Sequence, residues 1–337
     1  MYKYVHEFNA VAAPLRSDSP RRPDGDTMIT SVQLVNGEMG VASCPAGGAV
    51  IAPFYSVGEN LTRMEVGIVA RKGNPRAASL AADVRDAVRE RGVSVWLDEV
   101  TAEYLGAEPG RSVEELAGCD LVVAVGGDGT FLFAARNADG TPVLGVNLGE
   151  VGFLNAVPPD DAESAVLAEV ERFQDGGMTV REAPRLTAYV DGWSSLPAAN
   201  EIVVGGERRG HGGGIDYELR VNDSLYSGGH ADGVLVATPT GSTAYNLSER
   251  GPLVHPGVST LIINEMCAEG GMPPIAVDPD STVTVSVTSS GPTVVVSDGR
   301  NPHELTGAVE IDIRRAETPM RIAGPEADFF EALGKLS

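Results

Sequence analysis

The sequence predicts a two-part fold: a Rossmann-like parallel α/β domain followed by a β-rich, sandwich-like domain. Three observations carry that prediction. From Met64, short apolar strands alternate with helical patterns, which means a parallel sheet with covering helices. After about residue 180, short period-2 segments separated by Gly, Asn, Asp and Ser take over, as in a sandwich. Within the α/β part stands a glycine-rich turn, Gly126-Gly127-Asp128-Gly129-Thr130, placed where a buried strand gives way to a helix, at the carboxyl edge of an open sheet.

The elements follow in order. Val66 to Ala70 reads as a strand. Asn74 caps the next helix with Pro75 at its first position, and Leu80, Val84, Ala87 and Val88 share one face. Gly92 ends that helix. Val93 to Leu97 is a second strand, and Leu121 to Val125, apolar throughout, is a third, buried on both faces. A helix is expected from about Phe131, a strand at Val143 to Val146, and an amphipathic helix from Asp160 to Phe173. Leu186 to Val190, Ile202 to Val204, Tyr217 to Val221, Val283 to Val287 and Val294 to Val296 supply the β-rich part. Val309 to Ile313 and Asp328 to Leu336 read as a strand and a short helix. The domain limits are thus 64–175 (α/β), 176–306 (β-rich) and 307–337, a segment returning to the α/β domain. Residues 1–63 show no sustained periodicity and hold five prolines, so they are expected to be a flexible or mis-called extension, with a small appendage as the alternative.

Composition narrows function. Forty-seven acidic residues face 25 basic ones, a formal net charge of −22, and only Lys3, Lys72 and Lys335 are lysines. Such a field repels nucleic-acid phosphates and anionic membranes, so neither is expected as a partner. It suits a halophile, whose molar-salt cytoplasm screens charge within about 3 Å. Cys44, Cys119 and Cys267 are too scattered for a zinc knuckle or redox pair. No apolar run reaches the length of about 18 residues needed to span a bilayer, and the N-terminus lacks signal-peptide character. A cytoplasmic location is expected.

The glycine-rich turn is the first chemical motif. Its glycines let backbone N–H groups approach phosphates, and the helix start adds partial positive charge. Asp128 stands among those donors, able to take a proton from a hydroxyl. A bare turn is the bland alternative. The motif is neither GxGxxG nor a Walker A loop. Asn200-Glu201 precedes a strand and by itself reads as a turn. The stretch Asp232 to Ser248, DGVLVATPTGSTAYNLS, opens a strand into a run of hydroxyl residues. It suits ribose and phosphate binding with a stacking Tyr245, or equally a Ser/Thr turn with a core tyrosine.

These motifs, in this order and spacing, resemble the ATP-NAD kinase family over residues 64–330. VLGVNLGEVGFLNAV at Val143 to Val157 and Asp298-Gly299-Arg300 resemble two further family elements. GGDGT alone is shared with diacylglycerol, sphingosine and phosphofructokinase relatives; TPTGSTAY is far more specific. The resemblance implies a kinase that phosphorylates the adenosine 2′-hydroxyl of NAD from ATP or polyphosphate, working as a homo-oligomer (dimer or tetramer). It implies Asp128 as general base. Gly127, Gly129 and Thr130 would hold the donor, and Asn200 and Glu201 the nicotinamide-side ribose. Phe153, Asp232, Thr240, Thr243, Ala244, Tyr245 and Ser248 would line the dinucleotide site. No dedicated metal cage is legible; a divalent ion such as Mg²⁺ is expected to arrive with the donor.

Three positions depart from the family pattern. Arg250 replaces a glycine, Ile263 to Gly270 lacks the usual Pro and His, and Glu150 precedes GFL. They keep two rival readings open: a non-catalytic NAD-binding paralogue, or a same-fold kinase with another acceptor. Of the histidines, His230 is read as either site-facing or structural, and His211, His255 and His303 as solvent-facing.

Overall fold

The computed structural model describes residues 33–35, 38–40, 64–106, 109–149, 152–210, 212–288 and 291–334. The chain forms two compact units, 1–59 and 60–337. In the first, β1 (Gln33–Val35) and β2 (Glu38–Gly40) make an antiparallel hairpin with Gln33 opposite Gly40. Apart from it, the expected extension over 1–63 lies outside the described residues.

Among its described residues the second unit contains three six-stranded sheets. The first runs β4 (Ser94–Leu97), β3 (Glu65–Ala70), β5 (Leu121–Gly126), β6 (Val143–Asn147), β20 (Met320–Ala323), β7 (Val180–Ala183), parallel except for β7 at its edge. Every residue of β5 is buried because both faces are covered. Leu121, Val123 and Val125 face the cluster that includes α1 (Pro75–Glu90) and α4 (Ala162–Gln174); Val122 and Ala124 face α3 (Asp128–Asn137). The period of two thus sorts one apolar strand between two cores. Asn74 caps α1 as the sequence predicts, its Oδ1 accepting the Ala77 N–H at 3.1 Å, and Gly92 follows with φ +75°. The short α2 (Glu99–Leu105) has its own signals: Asp98 accepts from Val100 N–H and Thr101 N–H, and Gly106 is left-handed at the other end.

The other two sheets are antiparallel and share one core. One runs β12 (Ser224–Ala231), β11 (Ile215–Val221), β16 (Val283–Val287), β19 (Val309–Arg315), β8 (Leu186–Val190), β9 (Trp193–Ser194). The other runs β15 (Ile275–Val277), β14 (Leu261–Met266), β13 (Gly233–Ala237), β10 (Glu201–Gly206), β17 (Thr293–Ser297), β18 (Arg300–Leu305). Leu186, Ile202, Ile215, Val236, Val285 and Ile311 meet in the shared core. In β16 the valines of V-T-V-S-V point inward and the hydroxyl residues only partly so. The described residues also include two short helices, α5 (Tyr245–Ser248) and α6 (Phe329–Leu333).

The structure moves both expected domain limits. β7 belongs to the α/β sheet, not to a β-rich part starting at 176, because its backbone pairs with β20 from Met320↔Ala183 to Ala323↔Val180. β19 belongs to the sandwich, pairing with β16 and β8, so the chain returns to the α/β sheet only at β20. The helix expected from Phe131 starts at Asp128. Phe131 opens the apolar face and is fully buried, which is why periodicity placed the start there.

Candidate active site

Strand β5 delivers the glycine-rich turn to the carboxyl edge of the parallel sheet, next to the loop that follows β6. Gly127 caps α3 in extended conformation, and Thr130 N–H donates to Gly127 O at 2.8 Å. Gly126 has no room for a Cβ: one would stand 2.8 Å from Thr130 Cβ and 3.1 Å from Arg71 Cβ. Gly129 is exposed on the first turn.

The Asp128 side chain leans out of its own helix toward the β6 loop. Its Oδ2 accepts the Phe153 N–H at 3.0 Å. Its Oδ1 accepts the Leu154 N–H and the Asn155 Nδ2, both at 3.2 Å. Asn155 is fully buried. Three donors from one short turn therefore fix the orientation of the carboxylate.

On the sandwich side, Asn200-Glu201 enters β10 under three restraints. Asp298 Oδ1 accepts the N–H of Asn200 at 2.8 Å and of Glu201 at 3.2 Å; its Oδ2 accepts the Ala199 N–H at 3.0 Å. Thr238 N–H donates to Asn200 O at 2.9 Å and its hydroxyl to Ala199 O at 2.6 Å. Gly241 fits against the same backbone, where a Cβ would stand 2.7 Å from Asn200 Cα. The TPTGST segment and the Asn-Glu dipeptide are thus one interlocked piece. Glu201 is buried and its Oε2 has no hydrogen-bond partner. Burial, then the nearby Asp298, pushes its carboxyl up to about 7, with the Tyr245 backbone N–H opposing.

Farther along, Tyr245 packs beside Val203, Leu235, Ala237 and Ile262 while its hydroxyl accepts from Arg209. Arg209 rides on the glycine-rich loop between β10 and β11. Asp232 Oδ1 holds that loop by accepting the Gly210 N–H at 2.7 Å, and His230 holds it through Gly213 O at 2.9 Å. His230 also meets Asp216 at 2.9 Å, so its role here is to anchor a loop. Tyr245 therefore packs as the core tyrosine of that motif.

Between the two halves of this unit lies a cleft of about 270 Å³. Phe153 and Leu154 line one wall, Thr240 and Thr243 the other, with Arg181 and Phe329 between. The Phe153 and Phe329 ring centroids are 5.8 Å apart, and His255 meets Phe329 edge-on at 5.1 Å. Asp128 reaches this cleft through the Phe153 and Leu154 amides. Ala244 and Tyr245 follow the Thr240–Thr243 wall, and Ser248 is exposed at the end of α5. Of the predicted site residues Phe153, Thr240 and Thr243 line the cleft; Asp128, the Gly127–Thr130 turn, Asn200, Glu201, Asp232, Ala244, Tyr245 and Ser248 do not. A larger hollow of about 700 Å³ lies beside Tyr189, Trp193 and Asp312, and none of the motif residues line it.

Of the histidines expected to face solvent, His255 does and His303 is half-buried. His255 is exposed but packs against Phe329, and His303 stacks on Trp193 at 3.9 Å and 7°. His211 and Glu150 lie outside the described residues. Arg250 stands in the left-handed region, φ +62°, the backbone that the family's glycine suits. Asn264, within the divergent 263–270 segment, donates to Glu249 O at 3.1 Å and so braces that same turn.

The roles of Asp298, Arg136, Gly152 and Asn155 are not legible in the sequence. For Asp298 a signal existed: Asp-Gly between two alternating strands is a two-residue hairpin turn, and Asp298 and Gly299 both have positive φ. That the turn's carboxylate reaches the Asn-Glu backbone across 97 residues of sequence was not legible.

Comparison with known proteins agrees with this arrangement. The ATP-NAD kinase N-terminal domain model matches residues 66–172, and the ATP-NAD kinase C-terminal domain model matches 199–324. An NAD kinase of Halorubrum lacusprofundi is 66% identical over 276 residues, covering 81% of this chain and 100% of that protein. An NAD kinase of Haloarcula marismortui is 55% identical over 283 residues, covering 81% and 100%. Among solved structures, an Archaeoglobus fulgidus NAD kinase in complex with ATP superposes with a TM-score of 0.67 at 28% identity, covering 81% of this chain and 98% of that one. Yeast NADH kinase complexed with NADH has the same fold, with a TM-score of 0.70 at 22% identity over 81% and 87% of the two chains. With both domain models matched in the two halves that form the cleft, and relatives at this identity covered end to end, the chain belongs to the ATP-NAD kinase family.

Proposed function

We propose that this enzyme transfers the γ-phosphoryl group of ATP to the adenosine 2′-hydroxyl of NAD, giving NADP, with Asp128 as the general base. One observation carries the reading: the Asp128 carboxylate is fixed by Phe153, Leu154 and Asn155, and the first two of these line a cleft that Thr240 and Thr243 line as well. The relatives matched end to end, which are NAD kinases, support the substrate and the reaction.

Phosphoryl transfer asks a protein mainly for positioning and charge neutralisation. The 2′-hydroxyl, presented from the sandwich side, gives its proton to Asp128 as its oxygen attacks the γ-phosphorus and the β–γ bridging bond breaks to release ADP. The oriented carboxylate needs no rearrangement at that moment. The donor lies along the start of α3, where Gly127 and Gly129 leave backbone N–H groups open to phosphate oxygens and Thr130 adds its hydroxyl. Arg71 and Lys72, on the loop after β3 beside Gly126, add positive charge at the same edge. Asn200 and Glu201 set the nicotinamide-side ribose.

A divalent ion, Mg²⁺ or similar, fits as a companion of the donor. Among the described residues no group of three His, Cys, Asp or Glu side chains converges. Phosphate oxygens and water would therefore supply most of its ligands. When bound it neutralises charge on the donor phosphates. The same reading carries a cytoplasmic location and a homo-oligomeric state, both supported by the family resemblance.

The test is NADP formation by the purified protein in high salt with NAD, ATP and Mg²⁺. Turnover that needs both ATP and the divalent ion supports the reading. Turnover with polyphosphate but not ATP contradicts the donor, and tight NAD binding without turnover favours the non-catalytic alternative.

A further inference from the structure

The helix that begins with Asp128 carries, two turns later, an arginine that is almost wholly buried. Arg136 lies in the last turn of α3, and its Nη2 donates to Asp298 Oδ2 at 3.0 Å; the two side chains are 9% and 4% exposed. Asp298 belongs to the other half of the unit, at the β17–β18 hairpin turn, and is the residue whose carboxylate gathers the Ala199, Asn200 and Glu201 amides. Its own N–H returns to Glu201 O at 3.0 Å. Three amides already satisfy a carboxylate that merely braces a hairpin, so the guanidinium is an addition that crosses between the halves. A buried ion pair is weak evidence of added stability, because desolvation offsets its attraction; fixing a register is its better-attested use.

The register fixed here joins two parts of the reaction. α3 is a rigid rod at about 1.5 Å per residue, so its first residue and Arg136 move together. Phe131, Ala134 and Ala135 lock it into the core. Through Arg136 and Asp298 the rod grips the backbone of Asn200-Glu201, which is interlocked with the Thr238–Gly241 wall of the cleft.

We propose that Arg136 and Asp298 are positioning residues that hold the Asn200-Glu201 element in register with Asp128, and so tune the use of NAD rather than of ATP. This rests on the proposed roles of Asp128 and Asn200-Glu201. Neither Arg136 nor Asp298 lines the cleft, so both act through the backbone they hold.

The experiment is a kinetic comparison of the parent protein with Arg136→Met, Arg136→Lys, Asp298→Asn and Asp128→Asn in high salt. NAD and ATP are varied separately, and NAD binding is measured by calorimetry. A misplacement of about 1 Å costs on the order of 100-fold in rate. Arg136→Met and Asp298→Asn should therefore lose roughly 10- to 100-fold in kcat/KM for NAD, with weakened NAD binding and a KM for ATP near that of the parent. Arg136→Lys, which keeps the cation, should recover much of the loss. A folded Arg136→Met with parental NAD kinetics and binding overturns the proposal. Should that variant fail to fold, a folded Asp298→Asn with parental NAD kinetics overturns it equally. Full turnover in Asp128→Asn contradicts the base assignment instead, which keeps the two failures apart.

Discussion

Gly152 and Asp128 are packed so that no side chain fits between them: a Cβ on Gly152 would stand 2.8 Å from the Asp128 carboxyl carbon and nearer still to Oδ1. The glycine is there to let the 153–155 turn lay its donors on the carboxylate. Gly152→Ala must push that turn away from Asp128 or rotate the carboxylate. The expected outcome is a kcat lower by on the order of 100-fold, with NAD binding little changed, measured by steady-state kinetics and calorimetry on the same preparation.

Glu201 gives a pH signature of stability. Its folded carboxyl sits near 7, above an unfolded value of about 4.3. The folded state therefore holds this proton more tightly, and its contribution is present at low pH and lost as pH rises through 7. Glu201→Gln stays neutral at every pH. Above pH 7 the variant should be more stable than the parent by on the order of 3 kcal/mol, the difference fading below pH 5. Denaturant unfolding from pH 5 to 8.5 checks this. The cost of keeping a carboxylate here points to a role in the site, so the same variant should lose activity while gaining stability.

His230 should titrate above the usual histidine range. Its two ring nitrogens face only acceptors, Asp216 Oδ1 and Gly213 O, and both contacts raise its proton affinity, Asp216 most. The stabilising effect on the Arg209 loop is then present below the unfolded value near 6.5 and lost as pH climbs through the higher folded value. Proton NMR titration of the ring should give a midpoint above 6.5 that drops in Asp216→Asn. An unmoved midpoint contradicts the latch.

Arg250 stands at φ +62° where glycine is unstrained. Left-handed backbone costs a non-glycine residue about 1–2 kcal/mol. Arg250→Gly is expected to raise stability by about 1 kcal/mol, seen as a Tm higher by roughly 2 °C. If turnover falls at the same time, the cation serves the site; if only stability changes, this departure from the family pattern is neutral to function.

The sequence shows its architecture where a single local rule decides. Asn74 and Pro75 start α1 because a cap and a proline allow little else, and Leu121 to Val125 cannot be other than a strand covered on both faces. The true start of α3 was hidden because Asp128 and Gly129 carry no apolar signal; only Phe131 does. β7 and β19 read as ordinary strands, and nothing local in them says which sheet will take them. The site was legible as separate motifs, but not as an assembly. Asp128 with Asn155, Thr238 with Ala199, and Asp298 with Asn200 and Arg136 are all contacts between residues far apart in sequence. Arg136 itself reads as a helix C-terminal cation, the bland role that position usually has.

The role proposed for Asp128 is to take the proton from the acceptor hydroxyl. The test is single-turnover NADP formation with Asp128→Asn, which keeps the shape of the side chain and one of its two oxygens, puts NH2 in place of the other and removes the base, alongside calorimetric NAD binding. A general base contributes about 10²- to 10⁴-fold. Asp128→Asn should lose that much in the chemical step, with NAD binding close to the parent's. An Asp128→Asn enzyme that forms NADP at the parental rate would contradict it.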